Sequence, residues 1–159
     1  MDELLKILQH NALESHETIS RMLEIPVEKV AARIADYEKR GVIRGYQAIL
    51  NEDDLDQDKV TAVIEVKVTP QREGGFDRIA ERISGFPEVQ SAYLMSGAYD
   101  LLLFVEGRTL REVAGFVSER LSPLEGVIST STHFMLKTYK RFGVLMRKAE
   151  ADQRLTISP

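Results

Sequence analysis

The 159-residue sequence contains no cysteine and no tryptophan, and its three histidines, His10, His16 and His133, are scattered. The absence of cysteine excludes disulfide bonds, thiolate nucleophiles and cysteine-ligated zinc or iron–sulfur sites. The histidines lack metal-ligand spacing, so neither a metal nor another cofactor is expected. No nucleophile–base pair, pair of catalytic carboxylates or phosphate-binding loop is recognisable in the pattern, and we do not expect an enzyme.

Long apolar runs are missing as well. No stretch of about 18 apolar residues is present to cross a bilayer. The first residues, MDELLKILQHN, are acidic and amphipathic, whereas a secretory signal is basic and then apolar. We therefore expect a cytoplasmic protein with no membrane partner.

Positive charge is scarce too, because the formal net charge is −4. Broad electrostatic attraction to nucleic acid is therefore absent, and DNA binding would need a local basic face that oligomers multiply. The apolar fraction of 43% is enough to bury a core in one domain or in two small ones.

Apolar residues at helical spacing predict three helices near the start of the chain. The first covers residues 2–13, and its inward face is formed by Leu4, Leu5, Ile7, Leu8 and Leu13. Ser15 is suited to cap a short second helix, whose inward residues are Ile19, Met22 and Leu23. Pro26 suits the first position of the third helix, and Gly41 ends it. The inward residues of the third helix are Val27, Val30, Ala31, Ile34 and Tyr37.

The next two segments predict a wing and a linker. Residues 41–50, GVIRGYQAIL, combine β-branched and aromatic residues around Gly45, which favours two short strands in a hairpin. Three helices and a hairpin form a winged helix-turn-helix. Residues 51–59, NEDDLDQDK, carry five acids and one base among turn-prone residues, as is typical of a linker.

The remaining pattern predicts an α+β domain with the element order βαββαβ. Residues 60–69 alternate as a half-buried strand does, with Val60, Ala62, Ile64, Val66 and Val68 on one face. A helix, two strands joined by residues 96–98, a second helix and a strand over residues 127–136 follow. This order is the ferredoxin-like arrangement, here with an extra strand over residues 140–146. Helices on one face leave the other face bare, so a homodimer is expected.

We accordingly predict four segments. Residues 1–50 form a winged helix-turn-helix DNA-binding domain and residues 51–59 an acidic linker. Residues 60–149 form a ferredoxin-like domain for effector binding and oligomerisation, and residues 150–159 a frayed tail.

Several segments together resemble the Lrp/AsnC (feast/famine) family over nearly the whole chain. They are EKRGVIRGYQAIL after the helix-turn-helix, the acidic linker, SGAYDLLL at residues 96–103 and GVISTSTHFML at residues 126–136. The resemblance implies a bacterial or archaeal transcriptional regulator with a winged helix-turn-helix and a ferredoxin-like, RAM-type effector domain. It further implies dimers or octamers that respond to amino acids.

The resemblance places an effector pocket beside the SGAYDLLL loop and the last strand. The residues that it assigns to effector binding are Gly97, Ala98, Tyr99, Asp100, Thr130 and Thr132. A zwitterionic amino acid needs donors for its carboxylate and an acceptor for its ammonium, which a glycine loop and an aspartate supply. Alternatively, Gly97 only makes a turn, Asp100 caps it, and the threonines occupy a strand because they favour strands.

The outward face of the third helix is the candidate DNA-binding surface. It carries Glu28, Lys29, Ala32, Arg33, Asp36 and Arg40, of which Lys29 and Arg33 are the strongest contact candidates. Arg21 in the second helix and Arg44 in the wing are suited to phosphate contacts. The alternative is a solvated charged face.

These features lead to one predicted function and one alternative. The prediction is a sequence-specific transcriptional regulator that binds double-stranded DNA, forms homodimers or homo-octamers, and binds an amino acid or related small metabolite between subunits. Residues 21–44 hold six bases and only four acids, and Asp36 interrupts the basic face of the third helix. The alternative is therefore a nucleoid-organising or ligand-sensing oligomer with weak DNA sequence specificity.

Overall fold

Two separate hydrophobic cores divide the chain into two units, Met1–Ile49 and Leu50–Pro159. The computed structural model describes residues 1–55, 58–70 and 75–146. The predicted tail over residues 150–159 and the last residues of the predicted second domain lie outside these ranges. No helix within the described ranges is long and apolar enough to cross a bilayer.

The first unit is built from three helices, α1 (Glu3–His10), α2 (His16–Leu23) and α3 (Val27–Lys39). Their shared core consists of Leu4, Ile19, Val30 and Ile34. The two short helices begin at side-chain caps, because Asp2 accepts a hydrogen bond from the Leu4 amide and Ser15 accepts one from the Thr18 amide. The predicted cap at Ser15 is thereby confirmed.

Two residues assigned to inward faces are instead exposed. Leu13 is 94% exposed because α1 ends three residues earlier, where the Asn11 amide bonds to the Ile7 carbonyl. Met22 is 59% exposed, since a helix of only two turns presents a narrow stripe to the core. The apolar spacing correctly predicts a helix in both segments, but it does not determine which apolar residues the core covers.

The ends of α2 and α3 require left-handed backbone. Glu24 follows α2 with a φ of 53°, a conformation that costs a residue with a side chain more than it costs glycine. Gly41 follows α3 with a φ of 68°. Here the Val42 amide donates to the Tyr37 carbonyl at 2.9 Å and the Gly41 amide donates to the Glu38 carbonyl at 2.9 Å, a Schellman motif. Gly41 therefore ends the helix as predicted.

The hairpin predicted over residues 41–50 is not formed, because the structure assigns no strand to any of these residues, all of which it describes. Val42 and Ile43 turn back toward α3, and both amides donate to the Tyr37 carbonyl. Ile43 packs against the first core. The β-branched residues that indicated a strand thus complete the helix cap, and the segment after them pairs with no strand in the described part of the chain.

The second unit is an antiparallel sheet with helices on one face. Its strands are β1 (Val60–Val68), β2 (Val89–Leu94), β3 (Leu101–Gly107) and β4 (Val127–Phe134), in the order β2-β3-β1-β4. Helix α4 (Asp77–Ser84) follows β1, and α5 (Leu110–Phe116) follows β3 and continues as a π-helical turn over Val117–Leu121. This is the predicted ferredoxin-like topology, and the α+β fold class is confirmed.

Strand β1 lies at the centre of the second core. Its alternate residues Ala62, Ile64, Val66 and Val68 are buried, as the alternation predicted. They pack with residues from the neighbouring strand and both helices, among them Leu101, Leu103, Ile79, Ile83, Val113 and Phe116. One face of the sheet is thereby covered by helices.

The opposite face of the sheet is not covered by the described helices of this unit and is partly apolar. Val63, Leu102 and Phe104 are half-buried on this face, and Tyr93 is exposed there. The rings of Tyr93 and Phe104 meet edge to face with centroids 6.1 Å apart.

The predicted fifth strand over residues 140–146 is replaced by a small hairpin. Strands β5 (Lys140–Arg141) and β6 (Val144–Leu145) pair with each other and not with the main sheet. Phe142 and Gly143 form the turn with φ values of 47° and 87°, the backbone that a two-residue hairpin turn requires. The strand prediction was therefore wrong in its connectivity, because the turn folds the segment back on itself.

We expect Glu24→Gly to stabilise the first unit by about 1 kcal/mol, because glycine removes the steric cost of left-handed backbone. Urea denaturation measures the change as a higher midpoint. The matched control is Glu28→Gly in the helical backbone of α3, which should destabilise by about 1 kcal/mol. A lower midpoint for Glu24→Gly would contradict the left-handed conformation.

Candidate DNA-binding helix and effector loop

The outward face of α3 is exposed along its first half. Val30 and Ile34 are buried on the core side, whereas Lys29 and Ala32 are exposed on the opposite side. Lys29 has no carboxylate partner among the described residues. This end of α3 therefore presents an unpaired cation beside a small residue.

Arg33 lies one turn further along α3 and contacts the start of α1. Its guanidinium donates to the Asp2 carboxylate, and the Tyr37 hydroxyl donates to the same carboxylate oxygen at 2.6 Å. The hydrogen bonds from Tyr37 and the Leu4 amide, together with Arg33, hold the pKa of Asp2 below its usual value. The charge of Arg33 is thus compensated within the unit.

Arg40 at the end of α3 is also paired. It bonds to Asp36 at 2.8 Å, and its guanidinium lies 5.4 Å from the centroid of the Tyr37 ring. Because Asp36 is one turn earlier on the same face, the pair leaves little net charge there.

The other two predicted phosphate contacts lie outside α3. Arg21 on α2 is exposed and donates to the Thr18 hydroxyl at 3.3 Å. Arg44 is exposed and lies against Gly41, where an added Cβ would come within 3.0 Å of its guanidinium carbon. Neither has a carboxylate partner within the described part of the chain.

Sequence reasoning missed the roles of Asp2 and Tyr37. The sequence pattern assigns no role to Asp2, and it assigns Tyr37 only to the inward face of the third helix. Their contact joins positions 35 residues apart. Only the position of Asp2 before an apolar run, which is typical of a helix cap, signalled part of this arrangement.

In the second unit, Asp100 ties together three strands of the sheet. One of its carboxylate oxygens accepts the Val68 amide at 2.8 Å, and its own amide donates to the Val66 carbonyl at 3.0 Å. Its carbonyl accepts the Met95 amide at 2.8 Å. The Asp100 carboxylate thus bonds to β1 and not to the turn that it was expected to cap, and its second oxygen has no partner among the described residues.

The loop before Asp100 exposes backbone donors. Gly97 has a φ of 147° and is exposed together with Ala98, whereas Tyr99 is half-buried. The amides of these three residues have no hydrogen-bond partner within the described ranges. The loop thus offers a short run of unpaired N–H groups, as an anion-binding backbone does.

Thr130 lies at the same end of the sheet as this loop. Val66 on β1 is opposite Leu101 on one side and opposite Thr130 on the other. The Thr130 hydroxyl is 3.3 Å from that of Ser122, a residue that the sequence did not indicate. Thr132 is opposite Ile64, one side-chain repeat further along β4, so the structure groups Thr130 more closely with the loop than Thr132.

A separate polar cleft lies where the acidic segment meets the β5–β6 hairpin. Its volume is about 270 Å³, and its lining includes Glu52, Lys59 and Arg141. Glu52 bonds to Lys59 at 3.0 Å and to Arg141 at 2.8 Å, which lowers the pKa of Glu52. Both cations are therefore satisfied internally. The described residues contain no group of three or more His, Cys, Asp or Glu side chains arranged to hold a metal ion.

Known proteins are similar to this chain over both of its units. The family model for the Lrp/AsnC ligand binding domain matches residues 61–145. An uncharacterized HTH-type transcriptional regulator of Bacillus subtilis, YugG, is 47% identical over 158 residues, which cover 99% of this chain and 95% of the relative. The leucine-responsive regulatory protein of Haemophilus influenzae is 27% identical over 92% of this chain and 87% of its own length.

Solved structures show the same fold. A transcriptional regulator of Neisseria meningitidis in complex with L-Met superposes with a TM-score of 0.65 at 24% identity, covering 89% of this chain and 93% of that one. The likeness to it is one of fold. The matched ligand binding domain and the 47% identity to the Bacillus subtilis regulator show that the chain belongs to the Lrp/AsnC family of HTH-type transcriptional regulators.

Proposed function

We propose that this protein is a sequence-specific DNA-binding regulator that forms homodimers, or homo-octamers built from them, and binds an amino acid or related small metabolite between subunits. The observation that carries the proposal is the exposed Lys29–Ala32 face of α3 in a helix-turn-helix unit joined to a family ligand binding domain. The relatives named above are themselves HTH-type regulators.

Lys29 and Ala32 are the proposed DNA contacts of α3: Ala32 meets the major groove, and Lys29 neutralises a phosphate at the edge of the groove. Both are exposed in the first half of α3, the part of a recognition helix that reaches base edges in this motif. Arg21, Arg44 and Arg40 are the proposed phosphate contacts, which set register on the duplex. Arg40 is paired with Asp36, but its side chain is still 59% exposed.

The loop at residues 97–100 is the proposed effector site. The unpaired amides of Gly97, Ala98 and Tyr99 suit a ligand carboxylate, and the second oxygen of Asp100 suits an ammonium. The hydroxyls of Thr130 and Thr132 line the same side of β4, with Thr130 nearer the loop. The Neisseria regulator of the same fold binds an amino acid, L-Met, which is consistent with this class of ligand.

The open face of the sheet is the proposed dimer surface. Val63, Leu102, Phe104 and Tyr93 lie on it, and the helices cover only the other face. A second copy would remove this apolar area from water at each protomer, which is the usual driving force for association. Dimerisation also brings two α3 helices onto one DNA molecule, which offsets the small basic excess of each unit.

One observation favours the alternative of a nucleoid-organising oligomer with weak sequence specificity. Arg33 and Arg40 are both compensated by carboxylates, so two of the expected cations on α3 contribute little net charge. Binding would then depend on few phosphate contacts and on multivalency rather than on base readout.

Lys29→Ala tests the DNA-binding face. We expect about tenfold weaker binding to a duplex enriched by the wild-type protein from a random-sequence pool, since a charged contact with a phosphate is lost. The slope of log K against log salt should fall by about 0.9, because one fewer phosphate counterion is released. Fluorescence anisotropy over a salt series measures both. Lys6→Ala on α1 is the matched control and should leave the slope unchanged. Equal wild-type affinity for enriched and scrambled duplexes would support the organiser instead.

Asp100→Asn tests the effector site, because asparagine keeps a side-chain oxygen that can accept the Val68 amide. We expect the variant to lose at least tenfold in affinity for whichever of the twenty amino acids stabilises the wild type, because the ammonium loses its charged acceptor. Thermal shift and calorimetric titration measure the loss. The matched control, Asp77→Asn at the start of α4, should bind as the wild type does. Unchanged affinity in Asp100→Asn would place the ligand elsewhere.

Phe104→Arg tests the dimer surface. An arginine in the middle of the open face would bury an unpaired charge in a dimer but remain hydrated in a monomer. We expect the variant to sediment as a monomer at concentrations where the wild type is a dimer or larger. Leu13→Arg, at a position that is 94% exposed in the first unit, is the control and should keep the wild-type assembly. A dimeric Phe104→Arg protein would refute this interface.

A further inference from the structure

The carboxylate of Asp2 joins the start of α1 to the middle of α3. One oxygen accepts the Leu4 amide at 2.8 Å and so caps α1. The other accepts the Tyr37 hydroxyl at 2.6 Å and the Arg33 guanidinium. These partners belong to two helices and are separated from Asp2 by up to 35 residues.

The contact is partly sheltered from solvent. The side chains of Arg33 and Asp2 are 34% and 27% exposed, so salt screens their attraction less than it screens a fully exposed pair. Tyr37, which shares the carboxylate, also supports the Arg40 guanidinium on its ring. Asp2 therefore holds both Arg33 and Tyr37, which are four residues apart on α3.

A phosphate would have to compete with this arrangement to bind Arg33. Taking the guanidinium to DNA exchanges one ion pair for another and leaves the Asp2 carboxylate with one charged partner fewer. It would also bring a phosphate close to a carboxylate of the same sign, which is unfavourable. Lys29, one turn earlier on α3, carries no such competitor among the described carboxylates.

We infer that Arg33 is a positioning residue, which through Asp2 sets the orientation of α3 so that Ala32 meets the major groove and Lys29 a phosphate at its edge, and that it does not itself contact DNA. The inference rests on the proposed DNA-binding function. Asp2, outside the helix-turn-helix, is then a determinant of DNA affinity, although its own charge repels DNA.

The test compares Arg33→Ala, Asp2→Asn and the double variant with Lys29→Ala on the enriched duplex, by anisotropy over a salt series. Asparagine remains a good helix cap and alanine a good helix former, so α1 and α3 are retained. The Asp2–Arg33 contact is called the clamp. We expect each single change at the clamp to weaken binding about tenfold without changing the salt slope. The double variant should bind no more weakly than the weaker single variant, because both changes break one contact. Lys29→Ala should lower the slope by about 0.9.

Three outcomes would overturn the inference. A slope that falls in Arg33→Ala as it does in Lys29→Ala would show that Arg33 neutralises a phosphate. Unchanged or tighter binding by folded Asp2→Asn would show that Asp2 only competes with DNA. Additive losses in the double variant would show that the two residues act separately.

Failure of the proposed function gives a different result from failure of this inference. If the wild-type protein binds no duplex, DNA binding is refuted whatever the variants do. The clamp is then tested by the same double-mutant cycle in urea denaturation, where a coupling indistinguishable from zero between Asp2→Asn and Arg33→Ala overturns it.

Discussion

The burial of one alternating face of β1 is the constraint on which the second unit depends. This strand is paired on both sides, with β3 and β4, so its four buried residues set the registers of both neighbours. A shift by one residue would move Ile64 and Val66 to the opposite face and place Glu65 in the core. The position of the loop at residues 97–100 follows, because Asp100 is hydrogen-bonded to the end of this strand through Val66 and Val68.

The first unit depends on a smaller core, and polar contacts complete it. Only four residues form its fully packed centre, and its helices have eight, eight and thirteen residues. Helices this short are marginal by themselves, so caps and interhelical bonds carry a large share of their order. The Asp2 carboxylate serves both purposes, which links the cap of α1 to the position of α3.

The outward face of α3 carries little net positive charge. A chain with net negative charge cannot rely on a general positive field to approach DNA. Arg33 and Arg40 are paired with Asp2 and Asp36. The Lys and Arg side chains of the first unit without a carboxylate partner among the described residues are therefore Arg21, Lys29, Lys39 and Arg44. Such a surface favours DNA binding by several copies of the unit, each held in the correct orientation. It favours strong binding by a single copy less.

The sequence by itself determined the element order, the central strand, the cap at Ser15, the end of α3 at Gly41 and the ferredoxin-like topology, because helical and strand periods and capping residues are local signals. Tertiary structure decided that Leu13 and Met22 are exposed, that residues 41–50 form no hairpin and that residues 140–146 fold on themselves. It also decided that Arg33 bonds to Asp2 and that Asp100 bonds to Val68, contacts across 31 and 32 residues. No local period encodes such contacts, since they exist only once packing has brought distant parts of the chain together.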